Sequence, residues 1–145
     1  MDLPEPPSAD APHVYATVGV GLPALAHAEV GVWVHPRVAV EARVSWVVFN
    51  PMVGLAVDGA VWSSTGSTRG HAVTATVEAM LNPTLAPVRL TSGGETLGAY
   101  AGIYGGYRWM ADSGFIVRVQ GGALLYAEGG FAGAPNVMAG VGWAL

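Results

Sequence analysis

Charge in this chain falls on one face of its strands, and no other feature restricts the possible folds as strongly. In the stretch VAVEARVSWVVFN, residues 38 to 50, Val38, Val40, Ala42, Val44, Trp46 and Val48 alternate with Glu41, Arg43 and Ser45. A period of two puts the two sets on opposite faces of a β-strand. In water the valines would be buried and the charges solvated. Elsewhere in the chain, however, the polar face is too sparse and too rich in glycine to serve as a solvated surface. Inverting the strand, with valines outward into lipid and charges inward, removes the conflict.

Composition points the same way. Charged residues make up 11% of the chain and apolar residues 52%, against roughly 25% charged in typical soluble domains. No run reaches the ~18 uncharged apolar residues that a membrane helix requires, because Gly, Pro, Thr or a charge interrupts each one. The six basic residues are all arginine and the net charge is -4, so nucleic acid is not an expected partner. With no cysteine, disulfides, thiol catalysis and Cys-ligated zinc are excluded. Neither a metal nor a cofactor is expected. The opening MDLPEPPSADAP lacks an apolar h-region, so an exported chain of this kind is expected to be a mature form.

Residues 1 to 12, with four prolines and three acids, predict an extended tail. The remainder, 13 to 145, predicts one β-barrel domain. Eight strands are expected, at 13 to 22, 26 to 34, 37 to 49, 52 to 62, 70 to 81, 96 to 109, 114 to 126 and 136 to 145. Short connections at HPR, NPM and ADSG make neighbouring strands antiparallel hairpins.

Read strand by strand, one face collects residues such as Val14, Val18, Val30, Leu55, Val77, Leu97, Ile103, Val119 and Val141, with no charge in any strand interior. The other receives Glu29, Glu41, Arg43, Asp58, Glu78, Arg108 and Arg118, together with Thr74, Thr76, Gln120, most strand glycines, and Tyr15, Trp33, Tyr100, Tyr104 and Tyr126. Small residues interleaved with large ones suit a narrow barrel interior. An even number of roughly 10- to 14-residue strands, apolar outside and polar inside, predicts an all-β, eight-stranded, antiparallel, up-and-down transmembrane barrel. Lipid supplies no backbone partners, so the sheet must close. Tyr107, Trp109, Phe115 and Trp143 have outward parity at strand ends and predict an interfacial aromatic girdle.

This pattern resembles the small outer-membrane β-barrels of Gram-negative bacteria, the OmpA/OmpX type. The most specific element of the resemblance is the last strand, NVMAGVGWAL, where Val137, Ala139, Val141, Trp143 and Leu145 alternate to the terminus. Leu145 departs from the terminal aromatic usual there, and Trp143 would serve in its place. The resemblance implies the bacterial outer membrane, contact with bilayer lipid and lipopolysaccharide, and both chain ends on the periplasmic side.

Within the lumen, an NPM turn would set Arg43 nearly opposite Asp58, with Glu29 and Glu41 as close neighbours. Three arginines against four acids predict a structural network of paired charges. The functional expectation is a non-enzymatic envelope scaffold or a subunit of a larger outer-membrane assembly. A narrow pore is the alternative, and a lipid A-modifying enzyme is a weaker one. For the enzyme, Ser63, Ser64 and Ser67 lie near His71, yet no acid is placed to orient that histidine. His13, His27, His35 and His71 have no metal-ligand spacing and are expected at strand ends. The loop-like GVGLPA ends a strand and opens no helix, so it is no nucleotide cradle. Outward residues on the fifth to seventh strands are small: Ala75, Ala79, Ala99, Ala101, Gly105, Gly121 and Ala123. They predict a docking face for another outer-membrane protein or a second copy of the chain, because close backbone approach drives association in lipid.

Overall fold

In the computed structural model the chain forms an all-β closed barrel, and the structure describes residues 14–47, 50–82, 98–127 and 131–145. The strands are β1 (Val14–Leu22), β2 (Ala24–His35), β3 (Val38–Val47), β4 (Asn50–Ser63), β5 (Gly70–Leu81), β6 (Ala99–Met110), β7 (Phe115–Ala127) and β8 (Phe131–Ala144). Each pairs antiparallel with the next in sequence, and β8 closes on β1. Among the described residues no helix is long and apolar enough to cross a membrane.

Following one hydrogen-bonded row around the wall measures how the sheet closes. From Thr17 the row passes Glu29, Arg43, Gly54, Met80, Tyr100 and Tyr126 to Ala132 on β8. Yet Thr17 pairs on β8 with Gly142, ten residues further on (142 minus 132). Eight strands with that stagger tilt roughly 40° from the barrel axis, given ~3.4 Å per residue and ~4.8 Å between strands. The 12 residues of β5 then rise about 30 Å, enough to match the apolar thickness of a bilayer.

Burial alternates as the period of two demands, and the valines are outside. Along β5 every second residue from Ala72 to Met80 is buried while those between are exposed. Val18 is 60% exposed and Leu55 63%, whereas Glu41 is fully buried. An apolar cluster of Tyr15, Trp33, Ala39, Met110, Ile116 and Ala144 fills the lumen at the end that carries the C-terminus. A second, of Tyr104, Leu124 and Met138 with Tyr100 against it, lies toward the other end. Charge occupies the middle.

Two expectations about the strands are corrected. The connection between β3 and β4 is not at NPM: Val47 pairs with Asn50 and Trp46 with Pro51, and residues 48 and 49 between them lie outside the described residues. Pro51 is tolerated as the second residue of its strand, where little of the ladder is lost. β8 begins at Phe131 rather than near 136, because Phe131 to Pro135 pair in register with Ala127 to Ala123 despite their Gly and Pro content. In β4 the register slips between Ala60 and Trp62. That bulge turns both Val61 and Trp62 outward, at 65% and 53% exposure, where strict alternation would send Trp62 inside. The expected tail at 1 to 12, His13, Leu97 and the start of the sixth strand at 96 lie outside the described residues.

Candidate functional site: the charged lumen

The lumen is crossed by an ion-pair lattice built from six of the eight strands. Arg43 on β3 and Arg118 on β7 are its two hubs. Arg43 reaches Glu29 on β2 through Nε at 3.0 Å, Glu41 on its own strand through Nη2 at 2.5 Å, and Glu78 on β5 through Nη1 at 2.9 Å. Arg118, from the facing wall, reaches Glu29 at 2.7 Å and Glu41 at 2.6 Å through Nη1, and Asp58 on β4 at 2.7 Å through Nη2. Arg108 on β6 is less engaged, with one contact from Nη1 to Asp58 Oδ2 at 3.3 Å.

Neutral donors complete the shell. Thr17 donates to Glu29 at 2.6 Å and Thr76 to Asp58 at 2.6 Å, while the Tyr15 hydroxyl donates to Glu41. Tyr104 donates to Glu78 at 2.5 Å and itself accepts from Asn136 Nδ2 at 3.2 Å. With its amide oxygen turned toward the guanidinium, Gln120 accepts from Arg118 Nη2 at 2.9 Å. Around the two hubs, Arg43 and Arg118, the lattice meets the condition under which buried charge is tolerated, namely that the charged groups are paired and hydrogen-bonded.

All seven residues expected in the charge network are buried in the lumen, but one pairing differs. Arg43 stands across from Gly54, and Asp58 from Ala39; the pairing of Val47 with Asn50 goes with this register, and Asp58 meets Arg118 and Arg108 instead. Glu29 and Glu41 are neighbours as expected and share both hubs. Their second shared partner, Arg118 on the opposite wall, was invisible to hairpin reasoning.

On the outer wall Tyr107 and Trp143 are exposed, and Trp109 and Phe115 half-buried. Trp109, Phe115 and Trp143 pack edge to face in series, with centroids 6.4 and 5.6 Å apart, and Trp62 stands at the same end of the barrel through its bulge. Trp46 is exposed near the opposite end. Of the small-residue set, Ala75, Ala79, Ala99, Ala101, Gly105 and Gly121 are exposed and Ala123 is half-buried. Gly59, Ala75, Gly105 and Gly121 form one hydrogen-bonded row across β4 to β7. A Cβ added at Gly105 or Gly121 would meet nothing within 4 Å, so this row is a shallow oblique trough.

Histidine placement needs one correction. His27 is not at a strand end: it lies within β2 on the lumenal side, its ring against Gly19 and Gly140. The small glycines opposite make that room. His35 caps the turn by accepting from the Arg37 backbone at 3.2 Å. The His71 ring bonds Tyr107, and Ser64 Oγ accepts from the His71 backbone N–H at 3.0 Å rather than facing the imidazole. Among the described residues no group of His, Cys, Asp and Glu is arranged to hold a metal ion.

No family model and no curated protein matches the chain. Among solved structures, the solution NMR structure of TMB2.3, a de novo designed transmembrane β-barrel, is similar. It aligns with a TM-score of 0.56 over 95% of this chain and 98% of its own, at 14% identity. The likeness is one of fold.

Proposed function

We propose that the chain is a non-enzymatic outer-membrane β-barrel of the OmpA/OmpX kind, closed to ion flow, acting as an envelope scaffold or as a subunit of a larger outer-membrane assembly. Membrane insertion is supported by the inverted polarity of the wall and by the likeness to a designed transmembrane barrel. The observation that carries the rest is that Arg43 and Arg118 hold carboxylates from β2, β3, β4 and β5 across the lumen. An eight-stranded barrel is just wide enough for side chains to fill it, and here apolar clusters flank the lattice on both sides. An ion entering would have to displace a satisfied salt bridge.

Lipid and lipopolysaccharide are the partners of the valine-rich wall, and the chain ends lie on the periplasmic side. A second barrel or a second copy would pack against β5 to β7. Reconstitution decides between scaffold and pore. Folded protein should migrate differently on gels before and after boiling, as closed barrels do, and give no stable conductance steps in planar bilayers. Reproducible single-channel steps from heat-modifiable protein would overturn the closed-lumen reading. Loss of heat modifiability would overturn the membrane barrel itself.

A further inference from the structure

Donors without acceptors gather at one place in the lumen. Arg108 is 3% exposed, yet its Nε and Nη2 meet no acceptor among the described residues. Its one carboxylate, Asp58, meets Nη1 through Oδ2 at 3.3 Å, while Asp58 Oδ1 accepts from Arg118 at 2.7 Å and Thr76 at 2.6 Å. The guanidinium lies over the Trp33 ring, with Cζ 5.5 Å from the centroid, and the buried Trp33 Nε1 has no acceptor either. Thr74 Oγ1 is a third such group. It is one diagonal step away on β5, since Ala72 pairs with Arg108 and Thr74 with Gly106. Thr68, buried in the turn between β4 and β5, presents a fourth orphaned hydroxyl, and that turn leads into Gly70, the partner of Met110 at the same end.

Charge is distributed unevenly along the same axis. Arg108 and Arg118 stand directly opposite each other on β6 and β7, an arrangement that repels, and Asp58 is the carboxylate contacting both. The acid in excess is at the other side of the lattice, where Glu78 meets Arg43 and Tyr104. Arg108 has Asp58 as its one carboxylate partner among the described residues and shares it with Arg118.

We propose that Arg108, Trp33 and Thr74 form a binding site for a small monovalent anion such as chloride. An indole N–H and a guanidinium can only donate, so the ligand they select is one that only accepts. Negative charge distinguishes it from water, by relieving the Arg108–Arg118 repulsion.

The test uses the folded full chain in detergent micelles, titrated with sodium chloride against sodium gluconate at constant ionic strength. Urea midpoint and chloride-35 NMR linewidth are followed together. Wild type should show a saturable chloride-specific rise in midpoint and chloride line broadening, both weakened at least fivefold in Trp33→Phe and in Thr74→Val. These variants keep the ring and the side-chain volume, so they preserve the fold where Arg108→Leu could destroy it. Equal responses in the two salts, no saturation, or unchanged responses in both variants would overturn the site and leave the donors to water.

Discussion

Replacing Arg118 with leucine tests the lattice at its most connected point, and the outcome can be estimated from its contacts. The guanidinium makes three charge contacts of 2.6 to 2.7 Å at 4% side-chain exposure. Its loss takes the seven lumenal charges from four acids and three arginines to four and two. Removing one partner of a buried ion pair costs about 3–5 kcal/mol. The lower part of that range is expected, because each carboxylate keeps another donor: Glu29 keeps Arg43 and Thr17, Glu41 keeps Arg43 and Tyr15, and Asp58 keeps Arg108 and Thr76. With a urea slope of ~2 kcal/mol per M, a loss of about 3 kcal/mol lowers the midpoint by ~1.5 M. The adjacent Val119 points outward at 45% exposure, so Val119→Leu should stay within about 0.5 kcal/mol of wild type. Adding Asp58→Asn to Arg118→Leu should recover ~1 kcal/mol, since these contacting residues do not act additively. The measurement is reversible urea unfolding in lipid vesicles, read by tryptophan fluorescence and gel migration. If Arg118→Leu and Val119→Leu unfold at the same urea concentration, the lattice contributes nothing and the reasoning fails.

Three further outcomes follow from the wall. Val77 is 55% exposed on β5, and Val77→Arg should cost about 2–4 kcal/mol in bilayers; an unchanged unfolding midpoint would mean that this face does not meet hydrocarbon. At Gly102 an added Cβ would approach Glu78 Oε1 to 2.6 Å and the Tyr104 hydroxyl to 2.5 Å, whereas at Gly121 it would meet nothing. Gly102→Val should therefore lose about 1–3 kcal/mol by disturbing a hydrogen bond to a carboxylate, while Gly121→Val, measured in the same denaturant series, should leave stability unchanged or raise it. Because the chain has no cysteine, Ala101→Cys can be crosslinked in native membranes without background. A crosslinked neighbour from Ala101 but not from Val40→Cys is expected, and equal reaction at both sites would remove the case for a docking face on β5 to β7.

Much of the fold was legible because one physical rule acts on every strand. A lipid-facing position cannot carry charge, so Glu29, Glu41, Arg43, Asp58, Glu78, Arg108 and Arg118 mark the inside of β2 to β7 without reference to structure. What the pattern could not supply was register. A turn misplaced by two residues moves Asp58 from beside Arg43 to beside Arg118, and neither position violates the alternation. The outward turn of Trp62 was likewise not legible: a bulge adds one residue to a strand and reverses parity beyond it, with no composition signal at Ala60 to announce it. β8 began earlier than expected because Gly133 and Pro135, turn residues elsewhere, lie on a wall where glycine is common. Lumenal partnerships across the barrel, such as Glu29 with Arg118, depend on curvature and stagger, which single strands do not encode. The signal for His27 was present in its shared parity with Glu29 but was outweighed by its distance from any other ligand type.

The lattice joins residues far apart in the chain, and this has a kinetic consequence. Arg118 is separated from Glu29 by 89 residues and from Glu41 by 77, so neither contact can form in an early hairpin. While β7 is unpaired with the rest of the wall, the carboxylates of β2 to β4 have Arg43 alone among the hub arginines, and a sheet entering lipid in that state would expose charge to hydrocarbon. On the membrane-barrel reading partial insertion is the costly stage and completed closure the one that relieves it. On that reading, a chain that fails to deliver Arg118 to the first half of the barrel is expected to stall at the membrane surface instead of lodging in it.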